Sequence, residues 1–157
     1  MADSAVMPRH DAQWEPTVPA LVQRLAAAGR PRLKHAFAVA GLDGIRPAQA
    51  VALVPLATGG LHASDLADRL GVSRQAVAQA VTALERHGYV TRGPNPDDAR
   101  TRIIELTPRG RQTLRVMRST AVELEASWER KLGRRRLGEL RATLQLLLAG
   151  PASEDDR

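Results

Sequence analysis

The 157-residue sequence predicts a mainly helical chain interrupted by one short β-hairpin. Three observations carry this expectation. Apolar residues recur at steps of three and four over most of the chain, the spacing of one face of a helix. Aromatic residues are only Trp14, Phe37, Tyr89 and Trp128, so the core has to be built from Leu, Val and Ala, which suits helices. Only the stretches around residues 89–92 and 102–106 read as strands, and the Gly- and Pro-containing octet 93–100 separates them.

Residues 1–16 are polar, carry Pro8 and Pro16, lack periodicity and read as a flexible arm. Thr17 can cap a helix whose first turn tolerates Pro19, and Val18, Leu21, Val22 and Leu25 follow at helical spacing. Gly29 and Pro31 interrupt that pattern. Pro31 lacks an N–H and clashes with the preceding turn, so a kink or break is expected there, with Leu33, Phe37 and Ala40 on a second helical segment. Residues 41–46 form a loop. Pro47 starts a helix bearing Val51, Leu53, Val54 and Leu56; Pro55 shortens it and Thr58, Gly59 and Gly60 end it.

Residues 61–107 are the most informative. A short helix signal leads to the tight turn Leu70, Gly71, Val72, Ser73, and a second helix follows. In that second helix Val77, Ala80, Val81 and Leu84 face one way, whereas Gln75, Gln79, Thr82 and Arg86 recur at steps of 4, 3 and 4 on the opposite face. A helix that reads DNA needs this division: an apolar back and a polar front with hydrogen-bonding ends. Ser73 is a good N-cap, and a capped N-terminus offers free N–H groups and positive dipole to a phosphate. Arg74 and Gln75 lie in the first turn, which enters the major groove most deeply in helix-turn-helix proteins. Gln pairs with adenine and Arg with guanine through two hydrogen bonds. Ala78 is small enough for close approach. The candidate major-groove residues are thus Ser73, Arg74, Gln75, Ala78, Gln79 and Thr82, with His62, Ser64 and Arg86 as candidate backbone contacts. An ordinary amphipathic surface helix has the same two faces; the turn before it and the hairpin after it favour the DNA-reading alternative.

Gly88 suits the end of that helix. Tyr89, Val90, Thr91 and Arg92 then form a strand, and residues 102–106 its partner, with Ile104 and Leu106 on one face. Two prolines and a glycine keep the tip out of regular structure, and Arg92, Arg100 and Arg102 surround it. A stiff tip carrying Arg fits a narrow minor groove. Of Asp97 and Asp98, one is expected to orient Arg100 through a charge-assisted hydrogen bond. A polar surface turn is the plainer alternative.

Thr107 caps a further helix with Pro108 in its first turn. Leu114, Met117, Ala121, Leu124 and Trp128 form a heptad-like stripe, Gly133 breaks it, and Leu137, Leu140, Leu144 and Leu147 repeat the rhythm until Gly150 and Pro151. These stripes ask for a partner: a second copy of the chain, or each other. With Leu21 and Leu25 they are the candidate dimerisation residues. The domain reading is a flexible arm at 1–16, a dimerisation segment at 17–43, a winged helix-turn-helix at 44–107, a second dimerisation segment at 108–150 and a solvated, disordered tail at 151–157.

Composition sets bounds. The 23 basic residues, 21 of them Arg, outnumber 17 acidic ones for a net charge of +6. Arg forks onto phosphates and guanines, although a GC-rich genome gives the same bias. The absence of Cys excludes disulfides, cysteine metal sites and thiol redox sensing. No apolar run approaches the ~18 residues needed to span a bilayer, and residues 1–16 lack a signal-peptide core, so a cytoplasmic location without membrane contact is expected. His10, His35, His62 and His87 are scattered, so no metal site or cofactor is expected. No nucleophile elbow or phosphate loop occurs, so an enzyme is not expected. Arg134, Arg135 and Arg136 read as a solvated loop or as salt-bridge partners of nearby acids, with an extra DNA or acidic-partner contact as the alternative.

The sequence resembles the MarR family of bacterial transcription regulators over about residues 44–150. The resemblance rests on Leu66 and Ala67, the Leu70 to Ser73 turn, the run Leu84, Glu85, Arg86, His87, Gly88, Tyr89, Val90, and then Pro96, Asp98, Ala99, Arg100, Ile104, Glu105, Leu106, Thr107 and Gly110. The Asp98-to-Arg100 spacing in the wing is its most discriminating part. The resemblance implies a homodimer on double-stranded DNA at a palindromic operator, residues 73–79 in the major groove and the Arg100 position in the minor groove. It also implies release by a small phenolic, aromatic or anionic effector bound between the winged-helix lobes and the dimer region. The function expected is thus a sequence-specific transcriptional regulator, a repressor. The alternatives are a sequence-tolerant architectural DNA-binding protein and a winged-helix protein-interaction module. Two features depart from the family pattern: the interruption at residues 29–31, and the arm with Trp14.

Overall fold

The computed structural model describes residues 15–96, 98 and 100–149; most of the N-terminal arm with Trp14, Asp97 and the tail from residue 150 lie outside the described residues. Helix α1 spans Val18–Val39, α2 spans Pro47–Ala50 and runs on as a 3₁₀ segment Val51–Thr58, α3 spans Ala63–Leu70 and α4 Arg74–Arg86. Strands β1 (Val90–Pro94) and β2 (Arg102–Leu106) pair antiparallel, and α5 (Pro108–Leu132) and α6 (Arg134–Leu148) close the chain.

The caps are where the side chains predict them. Thr17 accepts from the Ala20 N–H at 3.4 Å, Ser73 from the Ala76 N–H at 3.1 Å and Thr107 from the Gly110 N–H at 3.1 Å. Of the expected kink or break at residues 29–31, the break does not occur: α1 continues through Pro31. A single proline removes one ladder hydrogen bond, and packing on the neighbouring helix outweighs that loss. At Gly29 a Cβ would lie 3.4 Å from Leu124 of α5, so the bare backbone of α1 sits close against α5 at this point. The helix after Pro47 also differs, because only its first turn is α. Pro55 sits inside the 3₁₀ segment, which buries Ala52, Leu53 and Leu56.

The core gathers Phe37, Leu53, Leu66, Val77, Val81, Leu84, Tyr89 and Val90, all nearly inaccessible. It crosses the expected boundaries at residues 44 and 107. Phe37 comes from α1, while Leu114 and Met117 of α5 pack against the same cluster. Tyr89 precedes β1 rather than opening it, and anchors the junction of these parts. Its hydroxyl donates to the Asp43 carbonyl at 2.6 Å, and the Arg109 guanidinium lies 4.9 Å from its ring centroid while donating to the Gly41 carbonyl at 3.2 Å. Gly110 passes so close to the Tyr89 carbonyl that a Cβ there would overlap it.

Candidate nucleic-acid interface

The turn between α3 and α4 is made by Gly71, whose left-handed backbone (φ 64°) lets its N–H reach the Asp68 carbonyl and the Val72 N–H reach the Ala67 carbonyl. Leu66 and Ala67 of α3 and Val77, Val81 and Leu84 of α4 point into the core. The opposite face of α4 presents Arg74, Gln75, Ala78, Gln79, Thr82 and Arg86 to solvent, as their spacing predicts. Ser73 uses its oxygen lone pair on the Ala76 N–H and keeps its own O–H for an outside acceptor.

Thr82 differs from its neighbours. Its hydroxyl donates to the Ala78 carbonyl at 2.8 Å and accepts from the Arg92 guanidinium at 3.3 Å. Arg92 also pairs with Glu85 at 3.4 Å. Arg92 thereby joins β1 to the exposed flank of α4. Both partners are about two-fifths exposed, so the pair contributes less than about 1 kcal/mol and acts by fixing direction.

The hairpin register pairs Val90 with Leu106, Arg92 with Ile104 and Pro94 with Arg102, so the ladder reaches two residues further than the expected strand. A third short piece joins the hairpin: Leu61, just before α3, exchanges two backbone hydrogen bonds with Ile104, at 2.8 and 3.1 Å. Both faces of β2 carry buried residues, because Ile103 is covered as well as Ile104 and Leu106.

At the tip, the Asn95 N–H donates to the Thr101 carbonyl at 2.9 Å and closes the loop. The expected charge-assisted hydrogen bond from an aspartate to Arg100 is made by Asp98, and it falls on the backbone. The Asp98 carboxylate accepts from the Arg100 N–H at 3.0 Å, while the Asp98 carbonyl accepts from the Thr101 N–H and hydroxyl, each at 3.0 Å. A carboxylate two residues upstream closes this turn more readily than it reaches the end of a long side chain. Arg100 and Arg102 project from the tip and its base, exposed, and no ion pair holds either guanidinium among the described residues.

His62 and Ser64 sit at the start of α3. The Ser64 hydroxyl donates to Asp65 at 3.4 Å. The His62 ring is engaged on both sides, Nδ1 lying 3.1 Å from the Arg102 carbonyl and Nε2 3.4 Å from the Asn95 amide nitrogen. His87 ends α4, its ring filling the space over Gly44.

The stripes on α5 and α6 divide. Leu114 and Met117 serve the core of their own chain, Leu137 is buried, and Trp128, Leu140 and Leu144 line a cleft between α5 and α6. An Arg141–Glu125 ion pair ties the same two helices. By contrast Val18, Leu21, Val22 and Leu25 on α1 and Leu146, Leu147 and Leu148 on α6 are 44–86 % exposed. A cavity of about 520 Å³ lies between α1, α2 and α5, walled by Leu33, Val51, Met117 and Leu124, with Arg30 the one charged lining residue among the described residues. None of the described helices is long and apolar enough to cross a membrane.

Residues 43–101 match the sequence model of the MarR family. The Transcriptional activatory protein BadR of Rhodopseudomonas palustris is 31 % identical over 94 residues, which are 60 % of this chain and 53 % of BadR; the match thus spans about half of that relative. Among solved structures, the transcriptional repressor CouR bound to a 23-mer DNA duplex superposes with a TM-score of 0.66 at 27 % identity, over 84 % of this chain and 92 % of CouR. Two others share the fold: a MarR transcriptional regulator from Methanosarcina mazei (TM-score 0.69, 21 % identity, 84 % and 94 % covered) and apo MarR from E. coli (TM-score 0.64, 22 % identity, 84 % and 97 % covered).

Proposed function

We propose that this chain, whose residues 43–101 match the MarR family model, is a sequence-specific double-stranded DNA-binding regulator of that family that acts as a homodimer on a palindromic operator. The observation that carries the reading is the joint geometry of α4 and the wing. Arg74, Gln75, Ala78 and Gln79 stand free on one face, and a turn made rigid by Asp98 projects the exposed Arg100 and Arg102 beside it. The first supplies hydrogen bonds to base edges in the major groove, the second guanidinium groups to the adjacent minor groove. The duplex bound by CouR supports the same use of the fold.

The dimer is proposed from the exposed apolar residues of α1 and α6, a surface that water contacts unfavourably unless a second copy covers it. Two-fold symmetry then sets two recognition helices about one helical turn of DNA apart. Repression follows by occlusion of a promoter. Activation is the second reading, favoured by the name of BadR; the position of the operator relative to the promoter decides between them. The cavity beside Arg30 is the proposed seat of a small aromatic or anionic effector, because it touches α1 and α5 of the dimer region and α2 of the winged-helix lobe at once. A ligand that fits only one spacing of the lobes shifts the population between DNA-competent and incompetent dimers.

The test is a salt titration of affinity for an inverted repeat selected from the DNA that flanks its own coding region and for random duplex. The expected result is a steep salt dependence together with at least 10³-fold preference for the repeat. Affinities within a few-fold of each other indicate an architectural protein, and no salt-sensitive affinity indicates a protein-interaction module.

A further inference from the structure

We propose that His62 is a positioning residue whose imidazole straps the wing to the start of α3 and so fixes where Arg100 lies relative to the recognition helix. The functional consequence rests on the DNA-binding reading above; the strap itself does not.

A two-stranded hairpin is marginal by itself, and its far end is where small rotations move a side chain most. Here the backbone exchange between Leu61 and Ile104 holds the middle of β2. The His62 ring reaches one step further towards the tip and touches both strands' ends. Its Nδ1 lies 3.1 Å from the carbonyl of Arg102, the first residue of β2, and its Nε2 3.4 Å from the side-chain amide of Asn95, the residue after β1. Asn95 and Thr101 then close the tip, and Asp98 stiffens it up to Arg100. Strap and stiff turn form a continuous chain of contacts from α3 to Arg100.

The geometry also fixes the tautomer. A carbonyl only accepts, so Nδ1 carries the proton, and Nε2 accepts from the Asn95 amide. With both nitrogens used, the neutral ring has no donor left for a phosphate. His62 therefore acts on DNA through the wing, not by touching the backbone itself.

Two measurements test this. The first needs no DNA: a long-range ¹⁵N correlation spectrum at mildly alkaline pH, where imidazoles are neutral, shows His62 with its proton on Nδ1. A proton on Nε2 overturns the strap. The second is a double-mutant cycle on operator affinity. Arg100→Ala costs roughly ten-fold or more, as expected for a hydrogen bond to a charged group. His62→Ala costs up to the same factor, and the double variant binds no more weakly than Arg100→Ala alone. Multiplying losses, roughly a hundred-fold together, mean that His62 contacts DNA independently and overturn the proposal. His62→Asn, whose amide nitrogen can stand in for Nδ1, recovers part of the affinity, whereas no recovery points to lost packing and contradicts the strap. If His62→Ala does not fold, Asn95→Ala enters the cycle in its place, with the same non-additivity expected. A wild-type chain without salt-dependent DNA affinity removes the DNA-binding reading, and the tautomer then decides the strap alone.

Discussion

Arg100 owes its placement to Asp98, whose carboxylate holds the backbone N–H of Arg100 and leaves the guanidinium outward. Arg100→Ala is therefore expected to lower operator affinity and to flatten the plot of log K against log salt by about one unit; fluorescence anisotropy across a salt series measures both, and an unchanged slope removes the wing contact. The glutamines of α4 are proposed to act differently. Gln75→Ala or Gln79→Ala is expected to relax preference at one base pair, costing about 1–3 kcal/mol there, and a competition series over single-base operator variants detects it. A uniform loss over all sequences contradicts direct readout by these residues. The free face of α4 is legible in the sequence because the 3.6-residue period alone decides which side chains look outward. The partners of Thr82, Arg92 and His62 are not. Arg92 lies ten positions from Thr82, and Asn95 and Arg102 lie 33 and 40 positions from His62; no local pattern encodes such pairings.

At the scale of elements, stops and caps were readable because they are short-range: Ser73, Thr107 and Gly71 each bond within a few residues. Of the kink or break that the sequence leads one to expect at residues 29–31, the break is absent, because the packing of α1 against α5 is non-local and outweighs one lost hydrogen bond. The join of α5 to the winged helix is similarly non-local, and Gly110 shows its tightness. Gly110→Ala places a Cβ against the Tyr89 carbonyl, a contact that flexible side-chain motion cannot relieve. A destabilisation of about 1–3 kcal/mol is expected by urea unfolding. Gly138→Ala on α6 is the contrast: nothing lies within 4 Å of the added methyl, and a helix-interior glycine is a poor helix former. A gain of about 0.5–1 kcal/mol is expected. Equal effects at the two sites would contradict this account of the α5 join.

For the molecule as a whole, the heptad stripes divide between covered and exposed positions. Leu114, Met117 and Leu137 are covered within the chain, so a heptad rhythm alone could not separate internal packing from association; burial does. Leu21 and Leu25 on α1 and Leu147 on α6 stay exposed and belong to the surface proposed for a second copy. Leu21→Glu with Leu25→Glu is expected to shift sedimentation from dimer to monomer and to weaken operator binding in parallel, while a wild-type monomer contradicts the dimer. The central claim is a two-fold clamp, with one dimer seating two α4 helices on the same side of the duplex. Lengthening the spacer between the operator half-sites by about five base pairs turns one half-site to the opposite side. Measured by titration against the natural spacing, affinity is predicted to fall to that of a single half-site, with one dimer bound per natural operator. Equal affinity for both spacings would contradict the clamp.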